Sequence, residues 1–131
     1  MEEALRAYLL AQAGITDLIG NRVFWNIRPQ GTPLPALVLN RISLPVNHTY
    51  KDRVRLSRAR VQFDCYGVSN ASARGLERAV VTALDSRAFT QGGIEFQGCF
   101  AADARDLTDR GTTDADTIFR PSIDFNILFK E

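Results

Sequence analysis

The chain has 131 residues, enough for one domain with its own core and too few for two ordinary ones. Hydrophobic residues make up 45% and charged residues 24%, a globular balance that sets aside disordered and fibrous classes. Sixteen Lys and Arg against fifteen Asp and Glu leave a formal charge of +1, far from the basic excess by which a dedicated nucleic-acid binder attracts phosphate.

Only Lys51 and Lys130 are lysines, so the cations are overwhelmingly arginine, whose planar guanidinium suits fixed protein contacts better than a mobile ammonium. Cys65 and Cys99 allow at most one bridge, which is no disulfide scaffold, and reduced thiols in an apolar core are expected. The start, "MEEALRAYLLAQAG", carries two glutamates and Arg6 and so lacks the basic opening and unbroken apolar run of a secretory signal. No window reaches the ~18 apolar residues of a membrane span. A soluble chain made in the cytosol, with no membrane partner, is expected.

Along the chain, Leu5, Leu9 and Ala13, flanked by Ala4 and Tyr8, recur at helical spacing and predict a first helix from Glu2 to Ala13 that stops at Gly14. Asp17 to Gly20 reads as a short extra turn, and "RVFWNI" as a brief aromatic strand. "PQGTPLP" concentrates proline and is a loop. "ALVLNRIS" fits a strand, "LPVNHTYKDR" a polar excursion, and "RVRLSRARVQFDCYGV" the longest strand, its alternation slipping near Ser57 as a β-bulge would make it slip.

A second helix follows, capped by Asn70, with Ala73, Leu76, Val80 and Leu84 on one face. "GGIEFQGCFAADARDL" and "TIFRPSIDFNILFKE" alternate again as strands, separated by the hydrophilic "TDRGTTDAD". Neighbouring strands of hairpin type, with no βαβ alternation, predict a single α+β domain over residues 1–131. Its sheet is expected to be antiparallel or mixed, of about four to five strands, with the two main helices on one face.

No catalytic constellation emerges, so no enzyme, cofactor or metal is expected. Cys65 shares the parity of Val61 and Phe63 and should be buried and inert, since the thiolate is the nucleophile and burial disfavours it. His48 is a lone loop histidine, and the two cysteines sit on separate strands at no ligand spacing. Asp103, Asp106, Asp109, Asp114 and Asp116 lack the alternating acidic loop and closing glutamate of a calcium site and read as a solvated acidic loop. The glycines of "TQGGIEFQG" suit a hairpin turn and a bulge rather than a phosphate cradle.

Charge does segregate. Between Leu44 and Arg60, the cations Lys51, Arg53, Arg55, Arg58 and Arg60 face the single acid Asp52; between Asp103 and Asp116 five aspartates face Arg105 and Arg110. Opposite patches on one chain suit a self-associating ring, the basic patch of one copy meeting the acidic patch of the next. The alternatives are pairing within the subunit, simple solvation, or a basic stretch from Lys51 to Arg60 that lines a channel or binds nucleic acid. The candidate interaction residues are Lys51, Arg53, Arg55, Arg58, Asp106, Asp109, Asp114 and Asp116.

Four segments, "EEALRAYLLAQAGITDLIGNRVF", "PQGTPLPALVLNRIS", "RARVQFDCYGVSNASARGLERAVVTAL" and "ARDLTDRGTTDADTIFRPSIDFNILFKE", cover nearly the whole chain. In their succession the sequence resembles the tail completion or tail terminator proteins, of the tail-to-head joining type, of long-tailed phages, prophages and gene transfer agents. The resemblance implies a small α+β subunit assembled in the host cytoplasm into the virion tail. There it would form a homo-oligomeric ring, a hexamer, on the head-proximal end of the tail tube. Its implied partners are further copies of itself, the tail tube protein and the head connector or stopper, with DNA passing through the ring and no specific nucleic-acid binding. It implies no catalytic residues.

Overall fold

The structure, a computed structural model, describes residues 1–44, 56–108 and 117–130. Its elements run α1 (Glu2–Leu10), α2 (Ala13–Ile19), β1 (Val23–Trp25), β2 (Ala36–Ser43), β3 (Leu56–Tyr66), α3 (Asn70–Leu84), β4 (Arg87–Gln91), β5 (Ile94–Asp106) and β6 (Pro121–Lys130). The class is α+β, as the sequence pattern implies, but several details differ.

The first helix ends earlier than its periodicity suggests. Ala11 is still right-handed helical, whereas Gln12 turns to extended backbone (φ −92°, ψ 110°) and caps a separate α2. Gly14 therefore lies in the first turn of α2 instead of stopping α1, and what looked like one extra turn is a helix of 7 residues. Ile15 and Ile19 of α2 join the core and explain why it forms: an apolar pair at i, i+4 shares one face. In α3 the cap is Ser69 rather than Asn70; its Oγ accepts the Ser72 N–H at 3.1 Å and satisfies one of the free donors of the first turn.

The strands form one six-stranded sheet in the order β1-β2-β3-β6-β5-β4. β1 runs parallel to β2 and every other pairing is antiparallel, so the sheet is mixed. The strand absent from the sequence reading is β4, "RAFTQ". Only Phe89 in it is a large apolar residue, and the strand is identified by its partner β5 across the Gly92–Gly93 turn, where both glycines have φ above +55° (58° and 79°). Against β6, β3 shows no bulge near Ser57, since the two pair without a shift from Leu56 to Asp64; the register shifts lie between Arg41 and Ser43 of β2, between Arg87 and Phe89 of β4, and between Phe96 and Gly98 and between Ala101 and Asp103 of β5, the one at Gly98 falling where the glycines of "TQGGIEFQG" suggest a bulge. Among the described residues, the Leu34–Pro35 peptide just before β2 is cis.

Ala59, Val61, Phe63 and Cys65 of β3 and Ile123, Phe125, Ile127 and Phe129 of β6 point to one face, where they meet Leu5 and Leu9 of α1 and Leu76, Val80 and Leu84 of α3. Strand parity thus delivers the core as the alternation predicts. Phe63 and Phe125 pack edge to face at 5.2 Å between centroids. α1 reaches both ends of the sheet. Its Glu2 carbonyl accepts the Trp25 indole N–H from β1 at 3.0 Å, and its Tyr8 stacks on Phe89 of β4 at 3.6 Å. One helix touching both outer strands means that the sheet curls around it.

Gly67 makes the passage from β3 to α3 possible. A Cβ there would lie 2.8 Å from the Ala73 nitrogen and 3.0 Å from its Cα, closer than backbone tolerates. Its absence lets Gly67 bridge Phe119 while α3 begins directly above.

Candidate functional site

The face of the sheet turned away from the helices carries a chain of charged and amide groups. Arg60 on β3 donates from Nε to Asp124 Oδ2 on β6 at 2.9 Å, and Arg105 on β5 donates from Nη2 to Asp124 Oδ1 at 2.8 Å. Arg105 also reaches Gln62 Oε1 at 3.1 Å and Asp103 Oδ2 at 3.1 Å. Gln62 donates from Nε2 to Asp64 Oδ1 at 2.7 Å, and Arg120 donates from Nη2 to Asp64 Oδ2 at 2.7 Å. The guanidiniums of Arg28 and Arg120 lie over the Tyr66 ring at 5.2 and 5.4 Å from its centre.

Asp64 and Asp124 are 1% and 3% exposed, so both carboxylates are removed from water and held by arginines that keep about a third of their own surface outside. Hydrogen bonding to Asp124 raises the Arg105 pKa further above its usual range, despite partial desolvation, so this guanidinium is permanently charged. The network ties β3, β5 and β6 together on a face that no described helix covers.

Asp64, adjacent to Cys65 on β3, is a buried ion-pair partner of Arg120. The network also corrects a sequence expectation. The acidic stretch does not begin as a loop: Asp103 and Asp106 are on β5, and Arg105 between them folds back onto Asp124. Arg60 likewise pairs within the subunit, so part of the segregated charge is neutralised internally.

Of the candidate interaction residues, Arg58 is exposed on β3, and Asp106 is half-exposed at the end of β5, 3.4 Å from Arg74 of α3. Lys51, Arg53, Arg55, Asp109, Asp114 and Asp116 lie outside the described residues, as does His48. The structure therefore brings no pair of the basic and acidic candidates together within one subunit among the residues it describes.

The residues that alternation alone could not connect are Gln62, Asp64, Arg105, Arg120 and Asp124. Arg60 and Asp124 are 64 positions apart and Arg120 and Asp64 56, and nothing local in the sequence links them. The available signal was parity: carboxylates at equivalent non-core positions of two strands, with arginines on strands or loops beside them.

Nucleophilic chemistry finds no support in the thiols. Burial, reinforced by the nearby carboxylates of Glu77 and Asp64, pushes the Cys65 thiol far up, and burial pushes Cys99 up to about 12. No group of His, Cys, Asp and Glu among the described residues could hold a metal ion. A groove of about 490 Å³ between α2 and α3 has Leu18, Ala79 and Thr82 in its wall and Arg78 and Arg87 at its rim, with no carboxylate, thiol or imidazole. No helix of the described residues is long and apolar enough to cross a membrane.

No curated protein matches the sequence. Among solved structures, a chain of the "Virion of native gene transfer agent (GTA) particle" aligns with a TM-score of 0.71 and 15% identity, over 100% of this chain and 95% of its own. A second solved chain aligns at a TM-score of 0.49 and 16% identity, over 97% of this chain and 95% of its own, too distant to inform the reading. The family model "Tail completion protein gp17" matches residues 3–130. The chain belongs to the tail completion protein gp17 family, structural components of the virion tail.

Proposed function

We propose that copies of this chain form a ring, a hexamer, that caps the head-proximal end of the tail tube, ends tube growth and presents a docking surface to the head connector or stopper. The observation that carries this reading is the match to the tail completion family over nearly the whole chain. The fold shared with a chain of a gene transfer agent virion supports it. The physical character of the molecule fits a structural part: charged residues go into a network that stiffens an open sheet face, and the thiols are locked away in the core.

In this reading the working surfaces are strand edges and loops. The basic stretch of Lys51, Arg53, Arg55 and Arg58 meets the acidic stretch of Asp106, Asp109, Asp114 and Asp116 on the next copy. A contact between unlike patches repeats head to tail and closes when the rotation allows it. DNA passes through the ring without sequence-specific contacts.

The test mixes purified protein with tail tubes and follows mass by light scattering. Multimers at high concentration, or a stoichiometric cap on tube ends, are expected. Protein that stays monomeric under both conditions would overturn the reading.

A further inference from the structure

Among the described residues, the curled sheet closes most of its two edges but leaves one stretch of each without a neighbouring strand. On the β1 side, the outward Val23 carbonyl accepts Arg6 Nε at 2.8 Å, its N–H bonds the Asn21 carbonyl at 2.8 Å, and the Trp25 carbonyl takes the Ile27 N–H at 2.8 Å. That strand is capped by its own chain. β1 ends opposite Leu39, however, so β2 continues from Asn40 to Ser43 with no described strand beyond it, and Arg41, Ile42 and Ser43 are exposed.

At the other end β4 leaves β5 at Cys99. Ser86 and Asp85 extend the cover slightly, through the Ser86 N–H to the Cys99 carbonyl at 2.7 Å and the Ala101 N–H to Asp85 Oδ1 at 3.1 Å. Past that point β5 runs on to Asp106 with no described strand on its outer side, and its side chains from Phe100 to Ala104 are exposed. Ala101, Ala102 and Ala104 keep this edge thin enough for another backbone to approach.

The two open stretches are complementary. The β2 stretch carries Arg41, which has no ion-pair partner among the described residues, beside Ile42, 51% exposed. The β5 stretch carries Asp103 and Asp106, whose side chains are 58% and 49% exposed, with Phe100 at 48%. The charges are opposite in sign, Asp103 and Asp106 remaining half-exposed beside their subunit partners Arg105 and Arg74, both stretches add exposed apolar surface, and neither carries a described strand on its outer side, an edge that folded proteins otherwise cover or blunt.

Resting on the ring reading above, we infer that the outer edge of β5, from the Ala101 carbonyl to Asp106, is a strand-addition site whose occupant is the Asn40–Ser43 stretch of β2 from a second copy. Three successive antiparallel pairings separate β2 from β5, so the two run antiparallel within a subunit, and the same relation across the junction continues the sheet from copy to copy. By the registers, Asn40 and Arg41 lie level with Asp103 and Ala101, and from there the two open stretches extend in opposite directions along the strands. Pairing them over their full length shifts each copy along the strand direction and tilts the strands, as a closed sheet requires.

The test is disulfide trapping in the full chain. Ile42→Cys is combined in turn with Ala101→Cys, Ala102→Cys and Ala104→Cys; paired strands place such Cα atoms about 4.5–5.5 Å apart, within disulfide reach. Cys65 and Cys99 are buried and stay silent. The expected result is a ladder of linked species from at least one double variant under mild oxidation, stopping at dimers when the matching single variants are mixed, and strongly reduced when Arg41→Asp is added. Multimers or tube caps that form normally while none of the combinations links would overturn the strand junction and leave the ring reading standing. Unmodified protein that stays monomeric alone and on tail tubes would remove both.

Discussion

Arg120 places its Nη2 2.7 Å from Oδ2 of Asp64, a carboxylate only 1% exposed, across 56 residues of sequence. The pair fixes the segment entering β6 against the end of β3, next to the Gly67–Phe119 bridge. Arg120→Ala leaves Asp64 buried with Gln62 as its remaining side-chain partner, which should cost about 2–3 kcal/mol of stability after allowing for the partial exposure of the arginine. Urea denaturation reads the loss directly. A double variant with Asp64→Asn should lose less than the sum of the two single changes, because the second change removes the stranded charge.

Gly67→Ala tests the junction between β3 and α3. Backbone of Ala73 occupies the place of the new methyl group, so either the helix start or the bridge to Phe119 must shift. A loss of about 1–3 kcal/mol is expected. Gly98→Ala is the control: its methyl group would meet only the ring of exposed Phe100, which can swing aside, and its melting temperature should change little by comparison.

The sequence displayed the core because strand and helix periods are local properties. Cys65 beside Phe63, and Leu76, Val80 and Leu84 on one helical face, could be read without any partner. β4 could not, because its place depends on pairing with β5 and on Tyr8 stacking against Phe89. The division of the N-terminal helix was hidden too, since Leu5, Leu9 and Ala13 keep the period across a backbone turn at Gln12. The charged face was legible only as parity. Which arginine meets which aspartate is set by strand order, and strand order here is β3-β6-β5, which chain order does not display.

Alkaline pH should destabilise the protein. Cys65 and Cys99 are held protonated in the fold, Cys99 with its pKa raised to about 12, while in the unfolded chain they ionise near pH 8.5. Above about 8.5 the unfolded state sheds these protons and the native state keeps them, so stability present below that pH is lost as pH rises toward 12. The slope should approach about 1.4 kcal/mol per pH unit for each thiol. Urea midpoints between pH 7.5 and 9.5 should fall more steeply for the native sequence than for a Cys65→Ala, Cys99→Ala variant.

Charge reversal at Arg53 and Arg55 should weaken assembly, read as a several-fold rise in the concentration at which multimers or tube caps appear. Adding reversal at Asp114 and Asp116 should restore part of it if these stretches meet across copies. Undiminished assembly by the Arg53, Arg55 variant would separate the ring from this loop contact.

The proposed role, ending the tail tube and joining it to the head, is measured most directly as tail length and head attachment by electron microscopy in particles assembled without the chain. Tubes of uncontrolled length, detached from DNA-filled heads and trimmed to one length when the purified protein is supplied during growth, are the predicted result. Tails of normal length on intact heads in its absence would contradict the account.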